Sequence, residues 1–140
     1  MASQILLASF VQHCGLAVLA STNEHGEPQA ALVGVTATDE GDIVFDTLVS
    51  SRKYANLSRN SRVALVIGWD DEQTVQFEGI AEEIENPAQD PAVAAYYEQY
   101  PDGRERATWP EIAYIRVIPV WARYSDYRTD PPHLEEMQLT

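Results

Sequence analysis

Positive charge is what this sequence has least of. Nine Lys and Arg stand against 22 Asp and Glu, a formal net charge of −13, and Lys53 is the one lysine in 140 residues. A chain this negative repels nucleic-acid phosphates and anionic membrane surfaces, so neither is an expected partner. Cysteine is nearly absent too. Cys14 stands alone, which excludes an intrachain disulfide, and on the apolar face of a leading helix it reads as a small buried hydrophobe, not a nucleophile. No apolar run reaches the roughly 18 residues that span a bilayer, and the opening MASQILLASF has neither the basic flank nor the long apolar run of a secretory signal. The expectation is a cytoplasmic protein. His13, His25 and His133 lack any ligand spacing, so no metal is expected. Glu82, Glu83 and Glu85 read as a solvated strand edge, and no nucleophile lies beside a base. Catalytic side chains stay unassigned, which is what a redox protein shows when its cofactor carries the reaction.

What is present is enough apolar residue, 45%, for one core, and residues 1–140 read as a single domain. Leu6, Leu7, Phe10, Val11 and Cys14 share a helical face between a cap at Ser3 and a stop at Gly15. Leu16 to Ala20, then turn residues 21–28, then Ala30 to Thr38 read as a hairpin, and Asp42 to Thr47 follow as a third strand after the turn at Asp39-Glu40-Gly41. A short helix fits Ser51 to Asn60. Val63 to Trp69 is apolar without alternation, as in a strand covered on both faces, and Thr74 to Ile84 places Val75, Phe77, Gly79 and Ala81 on one side. Asp90-Pro91 opens a helix with Val93, Tyr96, Tyr97 and Tyr100 facing inward, residues 101–110 form a loop, and a last strand runs from Glu111 to about Tyr124. Six strands joined by tight turns predict a mainly β fold with peripheral helices, a small six-stranded antiparallel barrel, closed or half-open.

The scarce cations are not spread evenly. Arg52, Lys53, Arg59 and Arg62, four of the nine, fall within eleven positions of the stretch SSRKYANLSRNSRVAL. Ser51, Arg52 and Lys53 sit where a strand gives way to a helix, so a hydroxyl, free backbone N–H groups and two cations can converge on one anion such as a phosphate. The plainer reading is that Ser51 caps the helix while Arg52 and Lys53 are solvated and offset the global acidity. On physics alone both readings stand.

Phe45-Asp46-Thr47, followed by Ser51-Arg52-Lys53, Asn56-Leu57, Asn60 and Arg62-Val63-Ala64-Leu65, resembles the pyridoxamine 5′-phosphate oxidase-like family of FMN-binding split barrels, over about Leu16 to Ile84. The resemblance implies an FMN-dependent oxidoreductase acting on a small redox substrate, with the flavin's phosphate and ribityl chain held by Thr47, Ser51, Arg52 and Lys53. It also implies a homodimer whose cofactor sites are completed across the interface, with Trp121 and Arg123 as candidates to cover the ring and Thr74 at the position of the family's flavin-approaching Gln. Departures accompany it. The second-strand Arg and Lys of the family's oxidases align with Ala31 and Thr36, and their C-terminal Arg and His for substrate phosphate have no counterpart within these residues. Pyridoxamine 5′-phosphate is therefore not the expected substrate. The alternatives are a non-enzymatic split barrel with little or no flavin, or a deazaflavin- or haem-linked variant of the fold.

Overall fold

The structure, a computed structural model, describes residues 4–139; the expected cap at Ser3 lies outside them. Helix α1 (Gln4–Cys14) leads into β1 (Leu16–Thr22), β2 (Pro28–Gly34), β3 (Thr36–Ala37) and β4 (Ile43–Leu48). Helix α2 (Arg52–Arg59) joins β4 to β5 (Arg62–Ile67), and β6 (Gln73–Glu83) follows. A 3-10 turn at Pro87–Gln89, α3 (Pro91–Gln99) and the single-turn α4 (Gly103–Arg106) precede the long β7 (Ile112–Asp126) and β8 (His133–Gln138). The strands form one antiparallel sheet in the order β2-β1-β5-β6-β7-β4-β3, with β8 paired to the second half of β7. This is the expected curled, mainly β half-barrel.

The strand count of six is corrected to eight, for two reasons. The expected strand Ala30 to Thr38 is divided at Val35, where the chain leaves β1 (Leu16 opposite Gly34) and joins β4 (Thr36 opposite Val44). Tyr100 makes the division: its hydroxyl donates to the carbonyls of Gly15 and Val35, and its ring lies 3.3 Å from where a Cβ on Gly34 would stand. The second addition is β8, whose HLEEMQ has no apolar run to announce it; Arg123 donates to Glu136 across the new pair at 2.6 Å.

Burial by face also differs from expectation. In β5 only Val63, Leu65 and Ile67 are fully buried, Ala64 and Val66 are half-exposed, and Trp69 lies in the exposed turn beyond the strand. The strand covered on both sides is β4, where Ile43, Val44 and Phe45 are each 0% exposed. Ile43 and Phe45 enter the barrel core with Leu19, Ile67, Val75 and Val117, whereas Val44 joins Ile84, Val93, Tyr96 and Tyr114 in a second cluster beneath α3. Helix α3 thus covers the outside of the sheet at β4 and β7, while Leu7 and Val11 of α1 pack on the barrel core.

At Glu78 and Gly79 the β6–β7 ladder slips by one: Glu78 faces Trp121 but Gly79 faces Pro119, so Val120 bulges and the long strand bends. A Cβ on Gly79 would lie 2.7 Å from Val117 Cγ1 and 2.8 Å from the Ile118 carbonyl oxygen, so no larger side chain fits without backbone movement. Gly79→Ala is expected to destabilise the fold by about 2–3 kcal/mol, lowering Tm by roughly 5–10 °C. Calorimetry checks it; an unchanged Tm would show that the bulge yields freely.

Candidate functional site

The turn between β4 and α2 begins at Thr47, whose side chain is buried and whose Oγ1 lies 2.9 Å from Ser51 Oγ. Ser51 caps α2 in extended conformation, its hydroxyl accepting from the Tyr54 N–H at 3.2 Å while its own N–H bonds the Leu48 carbonyl. The plainer of the two sequence readings is therefore true of Ser51. For Arg52, which is exposed, and Lys53, which is half-buried, both readings stand. Both occupy the first turn, the positive end of the helix dipole, where cations are disfavoured by about 0.3–1 kcal/mol each and an anion is favoured; no acidic residue shares that turn. The N–H groups of the first turn have no intrahelical acceptor to satisfy them.

Helix α2 is held rigidly in place. Asn56, buried, donates its amide to Ser21 Oγ at 3.0 Å and to Gln29 Oε1 at 2.9 Å, and Asn60 reaches Thr22 Oγ1 at 3.2 Å. The Asn residues quoted in the resemblance thus anchor the cationic segment to the β1–β2 hairpin. Two further contacts escaped sequence reading because they join distant segments. Arg106 of α4 donates to Asp46 Oδ2 at 2.8 Å, tying residues 101–110 to β4 next to Thr47, and this hydrogen bond raises the Arg106 pKa. Tyr54 donates to Glu83 at 2.5 Å.

The remaining cations are engaged. Arg106, Arg116, Arg123 and Arg128 each hold a carboxylate, and Arg104 lies 5.5 Å over the Tyr97 ring. Among the described residues, no acidic partner is found for the side chains of Arg52, Lys53, Arg59 or Arg62. A cavity of about 820 Å³ lies elsewhere, between the β3–β4 hairpin and α3. Asp39, Glu40, Asp42, Asp90 and Glu98 contribute to its walls, and its Arg116 is taken by Asp42, Glu82 and Asp90, so it presents no free cation to a phosphate.

Thr74, Trp121 and Arg123 are not brought to this turn within one chain. Thr47 pairs with Ala113, whereas Trp121 stands opposite Glu78, eight residues further along β7 (121 − 113 = 8), roughly 26 Å along a strand. Thr74 pairs with Ser125, further still. Arg123 is bound to Glu136, and its Nε is buried without a hydrogen-bond partner. Thr36, which the resemblance puts where the oxidases carry a Lys, is buried and donates to Gln99 Oε1 at 2.6 Å, at the wall of the cavity beneath α3; Ala31 offers no polar group. Burial, followed by the charge of Asp70, pushes the Cys14 thiol pKa up, which keeps it protonated. Among the described residues no group of three or more His, Cys, Asp and Glu is placed to hold a metal, and no helix is long and apolar enough to cross a membrane.

Residues 6–126 match the sequence profile of the pyridoxamine 5′-phosphate oxidase family. The chain belongs to that family. A pyridoxine/pyridoxamine 5′-phosphate oxidase of Cupriavidus metallidurans is 33% identical over 128 residues, which cover 82% of this chain and 58% of the relative. This member of the pyridoxamine 5′-phosphate oxidase family thus spans under three fifths of the length of that oxidase. Among solved structures, a haem-binding protein of Mycobacterium smegmatis superposes with a TM-score of 0.81 at 17% identity, covering 99% of this chain and 59% of that one. A pyridoxamine 5′-phosphate oxidase-related, FMN-binding protein of Nostoc punctiforme superposes with a TM-score of 0.72 at 12% identity, covering 96% and 93%. At these identities the likeness shows the fold, an FMN-binding-type split barrel, and one whose neighbours include haem binders.

Proposed function

We propose that the protein binds FMN through its phosphate at Thr47, Ser51, Arg52 and Lys53 and serves as a flavin-dependent oxidoreductase in the cytoplasm. The observation that carries this reading is the pair of cations in the first turn of α2 that have no acidic partner among the described residues, in a chain whose other cations outside this segment are ion-paired or stacked on an aromatic ring. FMN supplies hydride or electron transfer when bound; the chain's own residues bind its phosphate and exclude water around it. The site is shared between two copies of the chain. Residues at the far end of β7 reach a flavin at Ser51 only from a twofold partner, and Thr74, Trp121 and Arg123 are assigned to the ring end on that basis. The outer face of β2, β1 and β5 supports such pairing: Leu32, 61% exposed, stands beside Val18, which stands beside Val66, an apolar row open to solvent.

The visible spectrum of the purified protein, before and after adding FMN, tests the reading. Flavin bands that persist through gel filtration support it. Their absence at saturating FMN would leave the second reading, haem, favoured by the likeness to the M. smegmatis haem-binding protein, and a Soret band on haem titration would establish that one instead. Failure of both ligands would leave the deazaflavin-linked and non-enzymatic alternatives.

Pyridoxamine 5′-phosphate is expected not to be turned over, because the uncharged Ala31 and Thr36 stand where the resemblance puts an Arg and a Lys. A steady-state assay of peroxide release decides it. Rates typical of enzymes, roughly 1 per second or faster, would show that the substrate's phosphate is held by other residues.

A further inference from the structure

Asp46 stands where the site proposed above is least served by a carboxylate. It precedes Thr47 on β4, their Cα atoms about 3.8 Å apart, and a negative charge there opposes a phosphate monoester, which carries about −1.5 to −2 charge at pH 7. The Asp46 side chain is only 14% exposed, so water and salt screen it far less than they screen a surface acid such as Glu83. Its charge reaches the turn.

One residue from a distant segment answers that charge. Arg106 Nε donates to Asp46 Oδ2 at 2.8 Å, and the Arg106 side chain is itself 24% exposed. One of its terminal nitrogens donates to the buried Tyr96 hydroxyl at 3.4 Å, and the other lies 3.6 Å from Asp102 Oδ2. Alternation along β4 puts Thr47 on the side of Phe45 and the barrel core, beside Ser51, and Asp46 on the side of Val44, beneath α3. Arg106 meets Asp46 on that outer side, so it acts on the turn through Asp46 and not by touching a ligand there. Nor does its segment depend on this bond alone to stay on the sheet, because the Val49 N–H donates to the Glu111 carbonyl at 2.8 Å and Leu48 pairs with Ile112.

We infer that Arg106 is a positioning residue for the phosphate end of the flavin site: by holding Asp46 it cancels the carboxylate beside Thr47 and lets the turn accept a phosphate. The inference rests on the phosphate reading above and extends it. Arg52 and Lys53 bring two positive charges to the turn, and an unanswered Asp46 would cancel one of them. With Arg106 in place both remain for the ligand.

Asp46→Asn, Arg106→Gln and the double variant form a charge ladder that tests it, read by fluorescence titration with FMN and with riboflavin at neutral pH, with circular dichroism reporting the fold. Asp46→Asn leaves Arg106 an unopposed cation and is expected to tighten FMN about threefold to tenfold, whereas Arg106→Gln leaves the carboxylate unopposed and is expected to weaken FMN by a similar factor. The double variant should bind FMN as the wild type does. Riboflavin, without the phosphate, should bind all four proteins alike, and raising the salt should shrink the differences in FMN affinity. A staple with no electrical role gives another pattern, in which both single changes loosen the segment and weaken both flavins. That pattern, or equal FMN affinity in all four proteins, overturns the inference and leaves the flavin reading intact. Should Arg106→Gln fail to fold, Asp46→Asn decides alone, since only the electrical role makes it bind FMN tighter than the wild type. A wild type that binds FMN no better than riboflavin overturns the phosphate reading, and the inference with it.

Discussion

Replacing Arg52 and Lys53 together by alanine is expected to weaken FMN binding by about 3 kcal/mol, more than a hundredfold. Each charged hydrogen bond to a phosphate is worth about 1.5–3 kcal/mol. Arg52 is exposed and Lys53 half-buried, so screening by solvent and salt holds the sum toward the lower end of that range. Stability should change little, within about 0.5 kcal/mol, because neither side chain enters a core cluster and removing cations from a helix N-terminus relieves the dipole. Fluorescence titration of FMN gives the affinity and circular dichroism the control. Riboflavin, which lacks the phosphate, should bind weakly and respond little to the double change. Equal FMN affinity in wild type and variant would remove the phosphate from this turn, whatever the spectrum of the wild type shows.

How much of this site was readable in advance follows from the range of the interactions involved. The gathering of cations is a matter of counting, and Ser51 as a cap is local chemistry; both are visible in sixteen consecutive letters. That the four cations find no acidic partner among the described residues is not visible, because it depends on where carboxylates from β4, β6 and the cap of α3 end up, and those went to Arg106 and Arg116 instead. The fold divides the same way. Alternation gave the inward row Val75, Phe77, Gly79 and Ala81 correctly, since a half-covered strand writes its period into its residues. The apolar run Val63 to Trp69 was misread because apolarity reports tolerance of burial and not which element covers the face; α3 covers β4 and leaves the outer side of β5 open. The break at Val35 is set by Tyr100, sixty-five positions away, and β8 is a strand because the end of β7 offers it a ladder. The hydrogen bond on Thr36 likewise comes from Gln99, so the absence of a cation at that position was legible but its contact with α3 was not.

Leu32→Glu is expected to convert the protein to a monomer and to abolish flavin binding in the same step. Leu32 is 61% exposed in the single chain and lies in register with Val18, itself beside Val66 in β5. Three apolar side chains in a row across neighbouring strands form a sheet face that a second copy covers well and water covers badly. In a twofold contact each substitution enters the interface twice, so two buried carboxylates lose their hydration without a partner. Several kcal/mol per charge is enough to dissociate an interface of the obligate kind, above roughly 2,000 Å². The single chain should keep its fold, because in the monomer Leu32 already faces solvent, and an exposed Leu to Glu change costs about 0.5 kcal/mol or less. Flavin affinity should nonetheless fall well beyond what the phosphate contacts alone explain if the site is shared as proposed, since Trp121, Arg123 and Ser125, the partner of Thr74, stand eight to twelve residues along β7 from Ala113, the partner of Thr47. Light scattering coupled to size exclusion, run beside FMN titration, reads both effects. A wild type that is already monomeric at micromolar concentration would remove the shared site. A Leu32→Glu monomer that binds FMN as tightly as wild type would instead leave the cofactor wholly within one chain, held from the α2 turn alone.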